Sequence, residues 1–357
     1  MRQLLIAAAG TGGHVLPGLA VAARLRGRGW GVSWLGTHAG MERALVERDG
    51  VAFDAIDFSG IRGKGARRLI VGAIHLLRAI AQSRKIIRAR RPRAVFTTGG
   101  YVAVPAGLAA RSLGVPLVLL NADVAPLLST RLLRPFAARV LCGFDGAARE
   151  LAAARGEVTG NPVRAEIAAL PAPAARYVER SGPLSLLVLG GSLGAQVLNE
   201  VLPAALARQP RATRPRVVHQ CGATQVAATQ ARYETAGVAA EVIGFIEDIA
   251  ARYHAADVVL CRAGAITVAE LTVAGVAAIL VPLLARTTTQ QRSNALFLVA
   301  HDAAIHLPQS ELTAERLANT LSSLTRGQLQ QMAQAAHTLA RPQATAAVVD
   351  AIERIAA

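Results

Sequence analysis

The amino-acid sequence predicts an α/β protein of two doubly wound domains, each built on a parallel sheet. The chain opens with an apolar strand, Gln3 to Ala8, that leads into a glycine turn and then into a helix. The same order of strand, glycine turn and helix returns from Leu184 to Leu189 onward. Other apolar runs alternate with helical segments, which is the order that a parallel sheet requires.

The first domain is expected over residues 1–160. After the strand Gln3 to Ala8 and the turn Gly10 to Gly13, a helix is predicted from about Leu16. Later strands of this domain are predicted at Val32 to Leu35, Ala94 to Thr97 and Leu117 to Leu120.

The second domain is expected over residues 161–342. A connection rich in proline and alanine leads into its first strand, the turn Gly190-Gly191-Ser192 and a helix from about Gly194. Later strands are predicted at Val217 to His219, Asp257 to Cys261 and Ala277 to Val281. Residues 343–357 include a short amphipathic helix, Thr345 to Ile355, which is expected to pack back on the first domain.

The composition is typical of a folded α/β enzyme, since 52% of the 357 residues are hydrophobic. The three cysteines are far apart and form no CxxC pair, which argues against a disulfide framework and a zinc site. The apolar run Leu4 to Ala9 is too short for a signal peptide, and no stretch of about 20 apolar residues offers a membrane span. The chain is therefore expected to be soluble or to lie on a membrane surface.

The formal net charge of +16 fits either a solvated basic surface or attraction to an acidic partner such as a nucleotide, a phospholipid or a nucleic acid. Residues 62–93 concentrate this charge, with eleven Lys or Arg and no Asp or Glu. An amphipathic basic helix of this kind favours contact with an anionic membrane face. A stripe that faces the core, with a solvated basic outside, is the alternative. RNA binding is disfavoured because the segment has no aromatic residue for base stacking. The candidate membrane residues are Arg67, Arg68, Leu69, Ile70, Ile74, Leu77 and Arg78, and Ile80 continues the apolar stripe.

The first glycine turn, in AAAGTGGHVLPGLAVA, raises the question of which phosphate its glycines approach. A glycine turn that opens a helix points free N–H groups and the positive end of the helix dipole at an anion. The pattern is neither a dinucleotide fingerprint nor a Walker A loop, so NAD and a P-loop nucleotide site are disfavoured. His14 follows the turn and is a candidate general base, with a capping or packed histidine as the alternative.

The second glycine turn, LGGSLGAQ, presents N–H groups and the Ser192 hydroxyl without a neighbouring acid or base. This suits a diphosphate that is held rather than attacked, and a glycine-tightened junction of strand and helix is the alternative. Because no DxD triplet or cluster of acids and histidines suggests a divalent cation, the sequence predicts a metal-independent site, with Arg164 as a further partner of the diphosphate.

Polar side chains later in the second domain are candidate partners of sugar hydroxyls. Glu270 falls in the first turns of a helix predicted from about Ile266, where its carboxylate would bridge two hydroxyls of a ribose. A solvated acid is the alternative. The amides Gln290, Gln291 and Asn294 can donate to and accept from hydroxyls, with ordinary polar loop residues as the alternative.

Taken together, these residues resemble the MurG family of N-acetylglucosaminyltransferases, which are GT-B enzymes of glycosyltransferase family 28. The resemblance runs nearly end to end, through GTGGHVLPGLAVA, SGIRGKG, TGGYVAVPAGLAARSLGVP, GNPVR, GGSLGAQVLN, DVVLCRAGAITVAE and QQRSNA. It implies two Rossmann-like domains that face each other across a cleft, and no cofactor. It also implies a peripheral protein on the cytoplasmic face of the cell membrane.

The resemblance further implies the reaction and the donor site. GlcNAc would pass with inversion from UDP-GlcNAc to the C4 hydroxyl of the muramyl sugar of undecaprenyl-linked lipid I, which forms lipid II for peptidoglycan. The Ile246 backbone would lie near the uracil, Glu270 on the ribose, and Ser192 and Arg164 near the diphosphate. The other donor residues implied are Thr11, Gly12, Gly13, Asp123, Ala265, Ile266, Thr267, Gln290, Gln291 and Asn294.

The acceptor would bind to the N-terminal domain. The resemblance implies that its pyrophosphate lies on the turns Gly10 to Gly13 and Gly99-Gly100-Tyr101, with His14 in acid/base chemistry. The basic helix would contact the membrane. Other cell-wall synthesis proteins are further candidate partners, and no nucleic acid is expected.

The chain departs from the family pattern after the strand that ends near Leu119. The segment Leu120-Asn121-Ala122-Asp123 stands where the family usually has His-Glu-Gln-Asn, Leu193 replaces a glutamine, and Ala263 replaces a serine. Asp123 is therefore a candidate alternative base. Two other interpretations stay open: a paralogue with a different acceptor, and a nucleotide-sugar-binding protein with reduced or no turnover.

Overall fold

The computed structural model describes residues 2–10, 12–38, 40–59, 66–151, 156–178, 180–191, 194–283 and 289–357, and of residues 66–70 it describes the backbone alone. The chain forms two compact units. The N-terminal unit comprises Met1–Arg164 and Gln343–Ala357, and the C-terminal unit comprises Ala165–Pro342.

The border between the units falls after Arg164, whereas the sequence places it at Gly160. The residues between these two positions are attached to the N-terminal unit by their own hydrogen bonds. Asn161 Nδ2 donates to the carbonyl of Ala122 at 2.8 Å, within the loop that follows a strand of that unit. Arg164, which the sequence assigns to the second domain, is therefore part of the N-terminal unit.

The N-terminal unit contains a parallel sheet, with seven strands among the described residues, in the order β3-β2-β1-β4-β5-β6-β7. Its elements are β1 (Gln3–Ala8), α1 (Gly12–Arg26), β2 (Gly31–Thr37), α2 (Glu42–Arg48), β3 (Ala52–Ile56), α3 (Ala66–Arg90), β4 (Ala94–Gly99), α4 (Ala103–Ser112), β5 (Leu117–Asn121), α5 (Leu128–Leu133), a 3-10 turn (Arg134–Phe136), β6 (Arg139–Cys142), α6 (Asp145–Glu150), β7 (Gly156–Val158) and, at the end of the chain, α16 (Ala344–Ala356).

Apolar cores lie on both faces of this sheet, because successive side chains of a strand point to opposite faces. Leu4 and Ile6 of β1 belong to the core that α1 and α16 cover. Leu5 and Ala7 belong to the core on the side of α3 and α4. The C-terminal helix α16 thus packs on the N-terminal unit, where buried side chains such as Ile352 complete the first core.

The C-terminal unit contains a second parallel sheet, with six strands among the described residues, in the order β10-β9-β8-β11-β12-β13. Its elements are α7 (Ala165–Ala168), α8 (Pro173–Tyr177), β8 (Ser185–Leu189), α9 (Gln196–Ala207), β9 (Arg216–Gln220), a 3-10 turn (Ala223–Gln225), α10 (Val226–Thr235), β10 (Glu241–Ile243), α11 (Ile249–Ala255), β11 (Val258–Cys261), α12 (Ala265–Ala274), β12 (Ala277–Leu280), α13 (Gln290–Val299), β13 (Ile305–His306), a 3-10 turn (Gln309–Glu311), α14 (Ala314–Ser322) and α15 (Arg326–Thr338).

The predicted fold class is confirmed, since both units are α/β and carry parallel sheets. The apolar runs of the sequence do not reveal β3, β6, β7, β10 and β13. These strands are short, and all but β6 lie at a sheet edge, where pairing with one neighbour defines the strand more than a long apolar run does. Among the described residues, no helix combines the length and the apolar character needed to cross a membrane.

Candidate functional site

The first glycine turn is shorter than the sequence suggests. Helix α1 begins at Gly12 rather than near Leu16, so Gly12, Gly13 and His14 lie in its first turn. The first N–H groups of a helix have no partner within the helix, and they stand at the positive end of its dipole. Gly12 and Gly13 are therefore helical, and the candidate anion-binding groups are the amides of the first helical turn. Thr11 lies outside the described residues.

Glycine is required where the turns after β1 and β4 meet. Gly10, Gly99 and Gly100 all have positive φ, at 114°, 108° and 80°. A Cβ at Gly100 would stand 2.1 Å from the carbonyl oxygen of Ala9, and one at Gly99 would stand 3.0 Å from His14 Cε1. The structure thus brings both predicted pyrophosphate turns to the carboxyl ends of neighbouring strands, against the His14 ring.

His14 is held in one orientation by the end of β4. Its Nδ1 lies 2.9 Å from the carbonyl oxygen of Thr98, and the Thr98 hydroxyl donates to the carbonyl of His14 at 2.6 Å. A carbonyl only accepts, so Nδ1 carries the hydrogen and Nε2 presents a lone pair. Burial of the ring lowers the pKa of His14, while the Thr98 bond and the charge of Asp123 oppose this shift. His14 is therefore a neutral base near neutral pH.

Asp123 lies on a loop that Asn121 organises. Asn121 is fully buried, and its Nδ2 donates to the carbonyl of Asp123 at 2.8 Å. Its Oδ1 accepts from the N–H of Leu127 at 2.8 Å and from the Thr130 hydroxyl at 3.0 Å. The departure from the family pattern thus supplies a loop anchor, and it leaves the Asp123 carboxylate close enough to act on the charge of His14.

Glu42 is a buried carboxylate at the first turn that the sequence analysis misses. Its Oε1 accepts from both the N–H and the hydroxyl of Thr37 at 2.9 Å, and its Oε2 accepts from the N–H of Gly10 at 3.4 Å. The Thr37 hydroxyl also lies 3.3 Å from the Tyr101 hydroxyl. Glu42 therefore ties the two turns to the end of β2. A lone acid after a strand carries no sequence signal for this role.

The second glycine turn connects β8 to α9, which begins at Gln196 rather than near Gly194. Gly191 and Gly194 have φ values of 78° and 77°, and a Cβ at Gly194 would stand 2.2 Å from the carbonyl oxygen of Cys221. The first N–H groups of α9 point out of the N-terminal end of the helix, as they do at α1. Ser192 and Leu193 lie outside the described residues.

Glu270 is buried rather than solvated. It sits on α12, which begins at Ala265, so Ala265, Ile266 and Thr267 form the first turn of the helix. The Tyr253 hydroxyl donates to Glu270 Oε2 at 3.1 Å. Burial, together with the nearby Glu270 charge, raises the pKa of Cys261 to about 12. The carboxylate therefore lies beside the carboxyl end of β11, within reach of the first turn of α12.

The predicted amides lie at the start of α13. Asn294 is fully buried, and its Nδ2 donates to the carbonyl of Ala263 at 3.1 Å, which joins α13 to the loop before α12. Gln291 Oε1 accepts from the N–H of Leu283 at 2.8 Å. Gln290 Oε1 is buried and accepts no hydrogen bond from the described part of the chain. The segment 284–288, which precedes this helix, lies outside the described residues.

Ile246 occupies the loop between β10 and α11. Its side chain is 8% exposed, so the loop is anchored there in the unit. Asp248 caps α11 by accepting from the N–H of Ala251 at 3.0 Å. The predicted donor residues of the C-terminal unit thus follow β8, β10 and β11 at their carboxyl ends, which is the edge at which ligands bind in open parallel sheets.

The predicted apolar stripe of the basic segment is only partly correct. Ile74 and Leu77 of α3 are 45% and 67% exposed, and Arg78 is exposed as well. Ile80, however, packs against the core of the N-terminal unit. The predicted stripe thus combines two faces of one helix, because buried and exposed apolar residues occur at similar spacings. The side chains of Arg67, Arg68, Leu69 and Ile70 lie outside the described residues.

No group of three or more His, Cys, Asp or Glu side chains that could hold a metal ion is found in the described ranges. The groups that face the turns after β1 and β4 are main-chain amides, a neutral histidine and single carboxylates. Such groups suit hydrogen bonds to an oxygen-rich ligand and proton transfer to one hydroxyl.

Two α/β units, each with a parallel sheet and a glycine turn after its first or central strand, have the architecture expected of the GT-B class. The chain matches the N-terminal domain of glycosyltransferase family 28 over residues 4–142 and the C-terminal domain of that family over residues 185–355. It therefore belongs to glycosyltransferase family 28, and the resemblance to MurG is confirmed.

The chain is similar over its whole length to curated members of this family. It is 55% identical over 355 residues to the UDP-N-acetylglucosamine--N-acetylmuramyl-(pentapeptide) pyrophosphoryl-undecaprenol N-acetylglucosamine transferase of Herminiimonas arsenicoxydans, with 99% of each chain covered. The protein of the same name from Chromobacterium violaceum is 49% identical, again with 99% of each chain covered.

Solved structures agree with the fold. The crystal structure of Acinetobacter baumannii MurG is 37% identical to the chain and superimposes with a TM-score of 0.82, covering 99% of this chain and 100% of that one. A UDP co-structure of Staphylococcus aureus MnaA has a TM-score of 0.68 at 14% identity, with 99% and 96% covered, and this likeness concerns the fold alone.

Proposed function

We propose that the protein transfers GlcNAc from UDP-GlcNAc to the C4 hydroxyl of the muramyl sugar of undecaprenyl-linked lipid I, with inversion. The full-length identity of 55% to a transferase of that name is the observation that carries the proposal. The orientation of His14 supports it, since the ring offers a free lone pair next to an amide-lined turn.

In the proposed reaction His14 Nε2 accepts the proton of the acceptor hydroxyl. The hydroxyl oxygen then attacks the anomeric carbon of GlcNAc on the face opposite the diphosphate, and UDP leaves with the bonding electrons. Attack from the opposite face inverts the configuration. The Thr98 carbonyl fixes the tautomer, and the Asp123 carboxylate stabilises the imidazolium that forms.

The donor is proposed to lie at the carboxyl edge of the second sheet. The uracil meets the loop of Ile246, and the Glu270 carboxylate accepts from the ribose hydroxyls. The diphosphate meets the first-turn amides of α9 with Ser192, and the sugar meets Gln290, Gln291 and Asn294. The buried carboxylate of Glu270, already oriented by Tyr253, is the observation that favours this arrangement.

A transfer assay tests this function. Purified protein is incubated with radiolabelled UDP-GlcNAc and a lipid I analogue, and a labelled disaccharide lipid is the expected product. Release of UDP only with other acceptors would instead indicate a paralogue of different acceptor specificity. Binding of UDP-GlcNAc without turnover would contradict the proposed activity and leave a nucleotide-sugar-binding protein.

The variant Glu270→Gln should raise the Kd for UDP-GlcNAc about 10-fold, which is roughly 1.4 kcal/mol, because the NH2 group that replaces one carboxylate oxygen cannot accept from a ribose hydroxyl. Isothermal titration calorimetry measures this. The exposed Glu315 of the same unit supplies the control Glu315→Gln, for which the Kd should not change. An unchanged Kd in Glu270→Gln would remove the ribose contact.

The membrane surface is proposed to lie on α3 and α5 of the N-terminal unit. Val71, Ile74 and Leu77 of α3 are between 45% and 67% exposed, among basic residues. Leu128 and Leu132 of α5, one helical turn apart, are 72% and 55% exposed. Both helices pack against α4, so two apolar surfaces border the same element. We infer a peripheral protein on the cytoplasmic face of an anionic membrane.

Charge reversal tests this surface. The triple variant Arg67→Glu, Arg68→Glu, Arg78→Glu should lower binding to phosphatidylglycerol vesicles at least about 10-fold in a sedimentation assay, since each basic residue near such a surface contributes about 1 kcal/mol. The matched control reverses three exposed arginines of the C-terminal unit: Arg208, Arg211 and Arg316. Equal sedimentation of the two variants would count against this membrane face.

A further inference from the structure

We propose that Gln220 is a positioning residue of the donor site, which couples the turn that meets the diphosphate to the loop that meets the uracil. The inference rests on the proposed function, since it assigns the donor to the C-terminal unit. No resemblance of motifs points to this residue. Its role follows from three hydrogen bonds of a buried amide.

The side chain of Gln220 binds two separate loops at once. Its Oε1 accepts from the N–H of Gly191 at 3.0 Å, and its Nε2 donates to the carbonyl of Gly191 at 2.9 Å. Nε2 also donates to the carbonyl of Gly244 at 3.1 Å. Gly191 belongs to the turn after β8, and Gly244 lies two residues before Ile246 in the loop after β10.

The strand order explains why this position has that reach. β9 lies between β8 and β10, and Gln220 is its last residue, paired with Leu189 on one side and with Ile243 on the other. A side chain at this point is flanked by the loops of both neighbouring strands. The strands that lead into the two loops, β8 and β10, do not pair with each other. The loops are therefore not joined by a ladder hydrogen bond between those strands.

The chemistry of the amide defines its orientation. Gly191 offers both a donor and an acceptor, and Gly244 offers an acceptor. Exchanging the oxygen and the nitrogen would set the NH2 group against an N–H and the oxygen against two carbonyls. Gln220 is 5% exposed, so each lost bond would leave a buried group unpaired. A glutamine side chain is therefore the group that satisfies both loops.

The consequence for function is geometric. A donor that spans the two loops binds well only when their separation matches the distance from uracil to diphosphate. Gln220 holds that separation before the donor arrives, so its loss should weaken ligands that contact both loops. The acceptor turns and His14 belong to the other unit.

The variant Gln220→Met keeps the length of the side chain and removes the three bonds. We expect a roughly 10-fold rise in the KM for UDP-GlcNAc and in the Kd for UDP, with the KM for the lipid I analogue unchanged. The control is Gln209→Met, because Gln209 is also buried in the C-terminal unit and donates to Ala318 O and Ser322 Oγ, away from β9. This control should lose thermal stability without any change in the donor KM.

A measurement on the wild-type protein tests the proposal even if the variant does not fold. Uridine, which lacks the diphosphate, should slow amide hydrogen exchange in the loop around Gly244 and also in the turn around Gly191, because Gln220 couples them. Protection confined to the Gly244 loop would overturn the proposal, and so would a folded Gln220→Met that binds UDP within twofold of wild type. A wild-type protein that binds no UDP-GlcNAc would instead refute the proposed function.

Discussion

The variant His14→Ala should lose about 10²- to 10⁴-fold in kcat, the range that a positioned general base contributes. The Kd for UDP-GlcNAc should stay within twofold of wild type, because His14 lies in the N-terminal unit and the proposed donor residues around Glu270 lie in the C-terminal unit. Steady-state kinetics with a lipid I analogue and calorimetric titration of the donor measure the two quantities.

The exposed His38 of the same unit provides the matched control. His38→Ala should retain the wild-type kcat, since its exposed ring lies on the surface, with Nε2 3.6 Å from the Asp57 carboxylate. The pH profile gives a second readout. Burial lowers the pKa of His14, so the acid limb of kcat/KM should lie below pH 6.5, where the ring gains a proton and ceases to act as a base. If His14→Ala keeps both its turnover and this limb, His14 has no part in the chemistry.

Acid should destabilise the C-terminal unit through His219. This residue is fully buried, with Nδ1 2.9 Å from the Tyr233 hydroxyl and Nε2 3.0 Å from Asn199 Oδ1. Burial lowers its pKa from 6.5 to about 4. Below pH 6.5 the unfolded chain binds a proton that the folded unit does not, so the free energy of unfolding falls as the pH falls from 6.5 to 4. The loss is about 2 kcal/mol between pH 7 and pH 5 and about 3 kcal/mol in full.

Urea unfolding of wild type and His219→Gln between pH 7 and pH 5 measures this loss. The variant lacks the titrating group, so its free energy of unfolding should vary with pH by about 2 kcal/mol less than that of wild type. Tryptophan fluorescence reports the N-terminal unit, because Trp30 and Trp34 both lie there, and far-UV circular dichroism reports both units.

A substitution of the exposed His301, in His301→Gln, serves as the control and should keep the wild-type pH dependence. The same pH dependence in wild type and His219→Gln would show that another group is responsible.

Asp257 acts in a more acidic range: its pKa is lowered, since the Ser185 N–H and the two arginines Arg180 and Arg326 outweigh the effect of burial. Its contribution is therefore lost as the pH falls from the ordinary pKa of a carboxyl group towards the lowered pKa of the folded state.

The motifs of the turns and the long apolar strands were readable because they are local. Three glycines within four residues, as at Gly10 to Gly13, are a local signal of a tight junction between strand and helix, and a buried parallel strand such as Gln3–Ala8 is a continuous apolar run. Helix starts were less accurate, as α1 shows, because a glycine can adopt either the turn or the first helical position.

Contacts between distant segments gave no local signal. Glu42 accepts from Gly10 across 32 residues, and Gln220 joins loops that are 29 residues before it and 24 residues after it. The burial of Glu270 likewise depends on Tyr253 from another helix. A single acid or amide on a predicted helix or strand looks the same whether its partner is solvent or a distant backbone group.

The sequence by itself determined the α/β class, the two repeated strand and turn units, and the family to which the chain belongs, because these depend on residue types at short spacings. Only the tertiary structure decided which carboxylates and amides are buried, which way the His14 ring faces, and which side of α3 is exposed. The physical reason is that hydrogen bonding and burial are set by neighbours in space, and the order of strands in a sheet places those neighbours far apart in the chain.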